Sequence, residues 1–171
     1  MKKLVTWLLL ITIVMFAAGC SGSSSKEEDS NRDSVVIERV IDGDTVEIKW
    51  QGKKKSVRLI GIDTPETKKA NTPVMFYGPE ASEFTKQQLE KKKVELEWDV
   101  EQYDKYDRLL AYVWLDGELF NSTLVKEGYA RISTFPPNVK YADRFKKDQE
   151  EARKQEKGIW KDYAAAFGKS K

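Results

Sequence analysis

Residues 35–60 read VVIERVIDGDTVEIKWQGKKKSVRLI, and the punctuation inside this stretch decides the architecture. Val35 to Ile41, Thr45 to Trp50 and Lys53 to Ile60 are runs rich in β-branched residues. Asp42-Gly43-Asp44 separates the first two runs and Gln51-Gly52 the second two. Short extended runs joined by Asp-Gly or Gln-Gly predict successive hairpins, hence a three-stranded meander. Working outward, Gly61 to Tyr77 carries two prolines and no period, so it reads as a long loop of the kind that carries function or moves. Gly78-Pro79-Glu80 opens a helix with proline early and an acid in the first turn. Ala81, Phe84 and Leu89 fall on its buried side, and Lys91-Lys92-Lys93 closes it at the negative end of its dipole.

Val94, Leu96 and Trp98 alternate with Glu95, Glu97 and Asp99, as in a half-buried strand with its carboxylates outward. Leu109 to Leu115 is almost wholly apolar and predicts a strand covered on both faces. After a turn at Asp116-Gly117, Asn121 is read as the cap of a short helix ending at Gly128, and Tyr141 to Lys157 as a charged helix stopped by Gly158. Ile159-Trp160 makes an apolar clasp, and the tail beyond it, 161–171, is expected to fray. Five strands with helices between and after them suit a partly open, five-stranded barrel of the OB type, a β-barrel with helices in the α+β class. Another small α+β sheet fits the same periodicity.

The N-terminal residues stand apart from the fold. Met1-Lys2-Lys3 is a basic start, and Leu4 to Ala18 is an apolar run broken only by Thr6 and Thr12. That is signal-peptide length and short of the ~20 residues of a membrane span. Residues 1–19 are therefore read as a signal peptide, followed by Cys20, the one cysteine in the chain. A cysteine directly after small residues resembles a bacterial lipobox, which implies lipidation of Cys20 and anchoring on the extracellular face of the cell membrane. An ordinary signal peptide with an incidental cysteine is the alternative. Residues 20–34 are serine, glycine and charge, and form a tether unable to bury enough surface to order itself. Residues 35–160 are left as one domain.

Composition excludes whole classes of chemistry. With 30 basic and 28 acidic residues the net charge is only +2, so local patches must carry any affinity for nucleic acid. There is no histidine, which removes Ser-His-Asp catalysis, histidine bases and nearly every zinc site. Catalysis is confined to carboxylates, Lys, Arg, Tyr or a hard metal held by oxygen.

The chemistry-bearing segments are few. Asp42-Gly43-Asp44 alone is an ordinary hairpin turn. Asp63-Thr64-Pro65-Glu66-Thr67 begins a loop directly after a strand that carries Arg58. If the hairpin pairs as proposed, Asp44 and Asp63 approach one another, and two carboxylates with a backbone carbonyl make an oxygen site for a hard divalent ion. Asp104-Lys105-Tyr106-Asp107-Arg108 mixes bases, acids and an aromatic ring in a turn before the buried strand.

Together with Ile41 and Thr45, Leu59 and Tyr77-Gly78-Pro79-Glu80-Ala81, these segments resemble the thermonuclease family, the staphylococcal nuclease-like enzymes, in order and spacing. The likeness runs through Leu124–Gly128 to Trp160 and so covers essentially the whole domain. The resemblance implies an OB-fold barrel with three helices and calcium-dependent hydrolysis of DNA and RNA by a monomer. It implies Ca2+ held by Asp44, Asp63 and the Thr64 carbonyl, Glu66 beside it as holder or activator of the attacking water, and Arg58 and Arg108 on the scissile phosphate. Lys105 and Tyr106 match positions that contact the nucleotide. Phe135, in Ser133-Thr134-Phe135-Pro136-Pro137, falls where the family places tyrosines of the base pocket and offers a ring for stacking. A phosphodiester is anionic and gains charge on the way to reaction, so two planar guanidinium forks and a cation address the main barrier. From other classes, a catalytically silent OB module that binds nucleic acid or protein, or a surface adhesion unit, predicts no metal-dependent turnover.

Overall fold

The computed structural model describes residues 31–67 and 74–168. The signal peptide, Cys20, the tether up to residue 30 and the last three residues of the tail lie outside the described residues. In chain order come β1 (Arg32–Asp42), β2 (Thr45–Trp50), β3 (Lys53–Leu59), β4 (Ile62–Asp63), α1 (Gly78–Leu89), β5 (Lys93–Glu97), β6 (Leu109–Leu115), β7 (Glu118–Leu119), α2 (Phe120–Lys126), β8 (Arg131–Ile132), α3 (Ala142–Lys154), a 3-10 turn (Gly158–Lys161) and α4 (Tyr163–Phe167).

The meander forms in the expected register: β1 pairs antiparallel with β2 (Val40 opposite Val46), and β2 with β3 (Val46 opposite Val57). Two register shifts, between Ile37 and Arg39 and between Val40 and Asp42, bend β1. The bend lets its first half pair with β5 (Val35 opposite Val94) while its second half pairs with β2. β5 then pairs with β6, and β6 runs parallel to β3 (Leu59 opposite Ala111), which closes the ring. The five-stranded barrel is thus closed rather than partly open. Its interior is filled by Ile37, Val46, Ile48, Leu59, Leu96 and Val113, all without solvent exposure. Each such side chain contributes about 1.5–3 kcal/mol by leaving water.

Four further sequence expectations are corrected. The ordered domain begins before Val35: Arg32–Ser34 extend β1 and pair with Leu96 and its neighbours, and the Trp98 indole donates to Asp33 at 2.5 Å. Asn121 lies inside α2, where it accepts from the Val113 amide and donates to the Ile60 carbonyl, both at 2.9 Å, and so pins the helix to the barrel instead of capping it. Glu97 does not face water. It is fully buried, taking the Trp114 indole at 2.6 Å, the Tyr141 hydroxyl at 3.0 Å and the Lys140 ammonium. Finally, the described residues hold four α-helices rather than three, because residues 163–167 of the supposed fraying tail form α4.

Candidate active site

The turn between β1 and β2 places Asp44 almost wholly out of solvent. Its Oδ1 accepts from the Thr45 hydroxyl at 2.8 Å, and its Oδ2 accepts from the Thr64 amide at 3.0 Å and hydroxyl at 3.1 Å. The first carboxylate is thereby fastened to the residue that follows the second. Gly43 makes this approach possible, since a β-carbon there would sit 2.8 Å from Thr64 Oγ1 and 2.9 Å from its methyl. The buried Thr85 hydroxyl of α1 holds the turn from behind by donating to the Gly43 carbonyl at 2.7 Å.

Arg58 stands on β3 between Thr45 of β2 and Leu110 of β6. Its Nη1 donates to the Leu59 carbonyl at 2.8 Å, fixing the plane of the guanidinium. Its Nη2 lies 3.1 Å from Asp44 Oδ2 and 3.3 Å from Asp63 Oδ1, so one nitrogen is shared by both carboxylates. Asp63, on β4, pairs across to Arg131 on β8. Arg131 Nε and Nη2 both donate to Asp63 Oδ2, at 3.0 and 2.9 Å. The approach of Asp44 to Asp63 expected from the hairpin is present, and a second arginine, Arg131, adds to it at Asp63.

Glu66 sits in the loop after β4. Its carbonyl accepts from the Met75 amide at 3.0 Å, and its carboxyl hydrogen-bonds Asp42. Asp42 also accepts from the Thr67 hydroxyl at 2.8 Å and from the Gly43 amide at 2.9 Å. Burial pushes the Asp42 carboxyl above its ordinary value, and the neighbouring Asp44 and Glu66 add to this against the pull of Thr67 and Gly43. The Tyr77–Ala81 motif docks on this loop: a β-carbon at Gly78 would meet the Thr67 methyl at 2.8 Å and the Pro65 carbonyl at 3.1 Å.

On the other side of Arg58 lies a cavity of about 550 Å³, whose wall includes Arg58, Arg108, Lys105, Tyr106, Tyr103 and Phe135. Tyr106 and Phe135 are largely exposed, 69% and 75%, and the Arg108 guanidinium lies over the Tyr106 ring at 5.6 Å. Arg108 is set by Asp104, whose Oδ2 takes the guanidinium Nε at 2.7 Å. Asp104 Oδ1 takes the Arg108 and Tyr106 amides at 3.0 and 2.9 Å. Burial works to raise the Asp104 carboxyl, but the hydrogen bonds from the Arg108 backbone and side chain outweigh it and hold it below the usual range. Lys105 reaches over the Tyr106 ring at 5.1 Å. The cavity thus presents two arginines and exposed rings, while Asp44 and Asp63 stand behind Arg58.

The family profile described as "Staphylococcal nuclease homologue" matches residues 56–162, more than half of the chain. The chain belongs to the staphylococcal nuclease family. It is 44% identical over 167 residues to the thermonuclease of Staphylococcus hyicus, an alignment covering 94% of this chain and 99% of that protein. It is 46% identical over 166 residues to the thermonuclease of Staphylococcus intermedius, with the same coverage of each chain. Endonuclease YncB of Bacillus subtilis (strain 168) is 42% identical over 142 residues, which is 82% of this chain and 67% of that protein. Relatives of this identity and coverage place this family member among the nuclease hydrolases.

The donor set suits a hard cation. Among the described residues no group of three or more acidic or cysteine side chains is assembled for a metal. Side chains therefore offer two carboxylates, Asp44 and Asp63, and any further protein oxygen must come from the backbone. Both carboxylates already converge on one positive nitrogen, so their charge is disposed toward a shared cation. The sequence shows Asp42 and Asp104 only as members of their motifs and gives Arg131 no motif at all. Each acts by holding another residue, a role that local sequence does not record.

Proposed function

We propose that this chain hydrolyses phosphodiester bonds of DNA and RNA in a calcium-dependent reaction, as a monomer held on the extracellular face of the cell membrane through Cys20. The observation that carries the reading is the position of Arg58, with Nη2 against Asp44 and Asp63 and its side chain in the wall of the cavity that Arg108 also lines. Asp44, Asp63 and the Thr64 carbonyl are the oxygens that would hold Ca2+. A calcium ion bound there supplies positive charge to the phosphate and to an attacking water.

The chain's own residues do the rest. Arg58 and Arg108 bind the phosphate oxygens and meet the charge that develops on them. The Leu59 carbonyl and the Asp104 carboxylate orient those two forks before binding. Glu66 takes the proton of the attacking water on its carboxylate. Tyr106 and Phe135 stack on bases, and Lys105 adds a charge for a neighbouring phosphate. Apart from the arginines and Lys105, which address the backbone, these contacts read no particular base edge. That suits a substrate range covering DNA and RNA.

The reading is tested with Arg58→Lys and Glu66→Ala, each assayed on single-stranded DNA with calcium. Both should lower kcat by roughly 10²-fold or more with the fold retained by circular dichroism; wild-type turnover in both would mean that the reaction happens elsewhere. For location, Cys20→Ser should shift the protein from the membrane fraction to the medium, and unchanged membrane association would remove the lipid anchor.

A further inference from the structure

The chain beyond the matched family segment reaches back to the site. α4 begins at Tyr163, one residue past that segment. The Tyr163 hydroxyl accepts from Arg131 Nη1 at 3.0 Å, and the Arg131 guanidinium lies 3.9 Å above the Phe167 ring. Tyr163 is itself stacked on Trp160, with centroids 5.0 Å apart and planes within 3°, and Arg153 covers the Trp160 ring at 4.4 Å. Asp162 caps α4 by accepting from the Ala165 amide at 3.0 Å. These contacts leave Arg131 one orientation, and in it Nε and Nη2 both point at Asp63 Oδ2.

We infer that Arg131, braced by Tyr163 and Phe167 of α4, is a positioning residue that holds Asp63 by Oδ2 and so presents Oδ1 to the cation. The inference rests on the reading of Asp63 as a calcium ligand. The terminal torsion of an aspartate is broad, so a ligand held at one oxygen spends more of its time in the binding orientation. An arginine has many rotamers, so a brace at its far end contributes by removing them before the metal arrives. Outer-shell partners of metal ligands set affinity by roughly 10–100-fold in metalloproteins generally.

The positive charge of Arg131 works in the opposite sense, repelling a divalent ion. Two variants separate the effects because they leave that charge in place. Tyr163→Phe removes the hydroxyl contact of the brace and leaves the Phe167 ring in place, and Arg131→Lys keeps the charge but cannot make the paired contact with Oδ2 together with the contact to Tyr163.

The test is calorimetric titration of calcium alone into the full-length protein, with thermal unfolding of each variant recorded without calcium. Tyr163→Phe should weaken calcium binding by roughly 3–10-fold and Arg131→Lys by about 10-fold or more, with Tyr163→Phe unfolding close to the wild-type temperature. Asp63→Ala should abolish binding at that site. Binding within twofold of wild type, or tighter, in both Tyr163→Phe and Arg131→Lys overturns the positioning role while leaving Asp63 as a ligand. Failure of the wild type to bind calcium, or wild-type binding by Asp63→Ala, removes the ligand assignment and this inference with it.

Discussion

Replacing Asp104 by alanine should disable the phosphate cleft without touching any residue assigned to the chemistry. One carboxylate holds the Asp104–Arg108 turn: Oδ2 takes the Arg108 guanidinium at 2.7 Å, and Oδ1 takes the Tyr106 and Arg108 amides at 2.9 and 3.0 Å. Hydrogen bonds to a charged group contribute about 1.5–3 kcal/mol each, but three sharing one carboxylate do not add. The turn also keeps its backbone bond from the Asp104 amide to the Arg108 carbonyl at 3.0 Å. A net loss of about 2 kcal/mol is therefore expected. If all of it falls on the placement of Arg108, kcat/KM drops roughly 30-fold, at about 1.4 kcal/mol per factor of ten.

The assay is initial-rate cleavage of a single-stranded oligonucleotide across pH. The Asp104 carboxyl lies below its ordinary value, so its contribution is full above the unfolded value of about 3.9 and is lost only as pH falls through the lower folded value. The deficit of the variant should accordingly be constant through neutral pH and shrink only in strong acid, as far as activity can be followed there. A kcat/KM within twofold of wild type at pH 7 would refute the claim that Asp104 sets Arg108.

Gly43→Ala brings a methyl to 2.8 Å from Thr64 Oγ1, so Thr64 must shift. Overpacking of this kind costs about 1–3 kcal/mol, measurable by urea unfolding, and calcium affinity should fall with it; unchanged stability and affinity would show that the turn has slack. Glu97→Gln leaves the Arg32 and Lys140 cations without their buried counter-charge and should destabilise the fold by about 2 kcal/mol. Calorimetry should show the same calcium affinity as wild type, and altered affinity would mean that Glu97 communicates with the site.

The meander was legible because its turns are written in Asp-Gly and Gln-Gly and its strands in β-branched residues. The juxtaposition of Asp44 with Asp63 followed from that register alone. The start of β1 was not legible, since Arg32, Asp33 and Ser34 carry no apolar signal; what orders them is pairing with β5 and the Trp98 indole. Alternation misplaced Glu97 because its partners come from α3's threshold, at Lys140 and Tyr141, 43 and 44 residues away. Asn121 has the residue type of a cap, but its amide serves two distant backbone groups, which no local pattern records. Tyr163 and Phe167 looked like a fraying tail because five residues cannot form a stable helix alone. Their order comes from Arg131 and Trp160. At the site, residues bound by motif were visible, and residues that act by holding them, Asp104 and Arg131, required the third dimension.

If the proposed function is right, turnover depends on a calcium ion held by Asp44 and Asp63. The most direct measurement is cleavage of single-stranded DNA by the purified protein with calcium, then with excess chelator, then with calcium restored. Activity should be lost on chelation and return with calcium. Cleavage that persists at the same rate under excess chelator would contradict it.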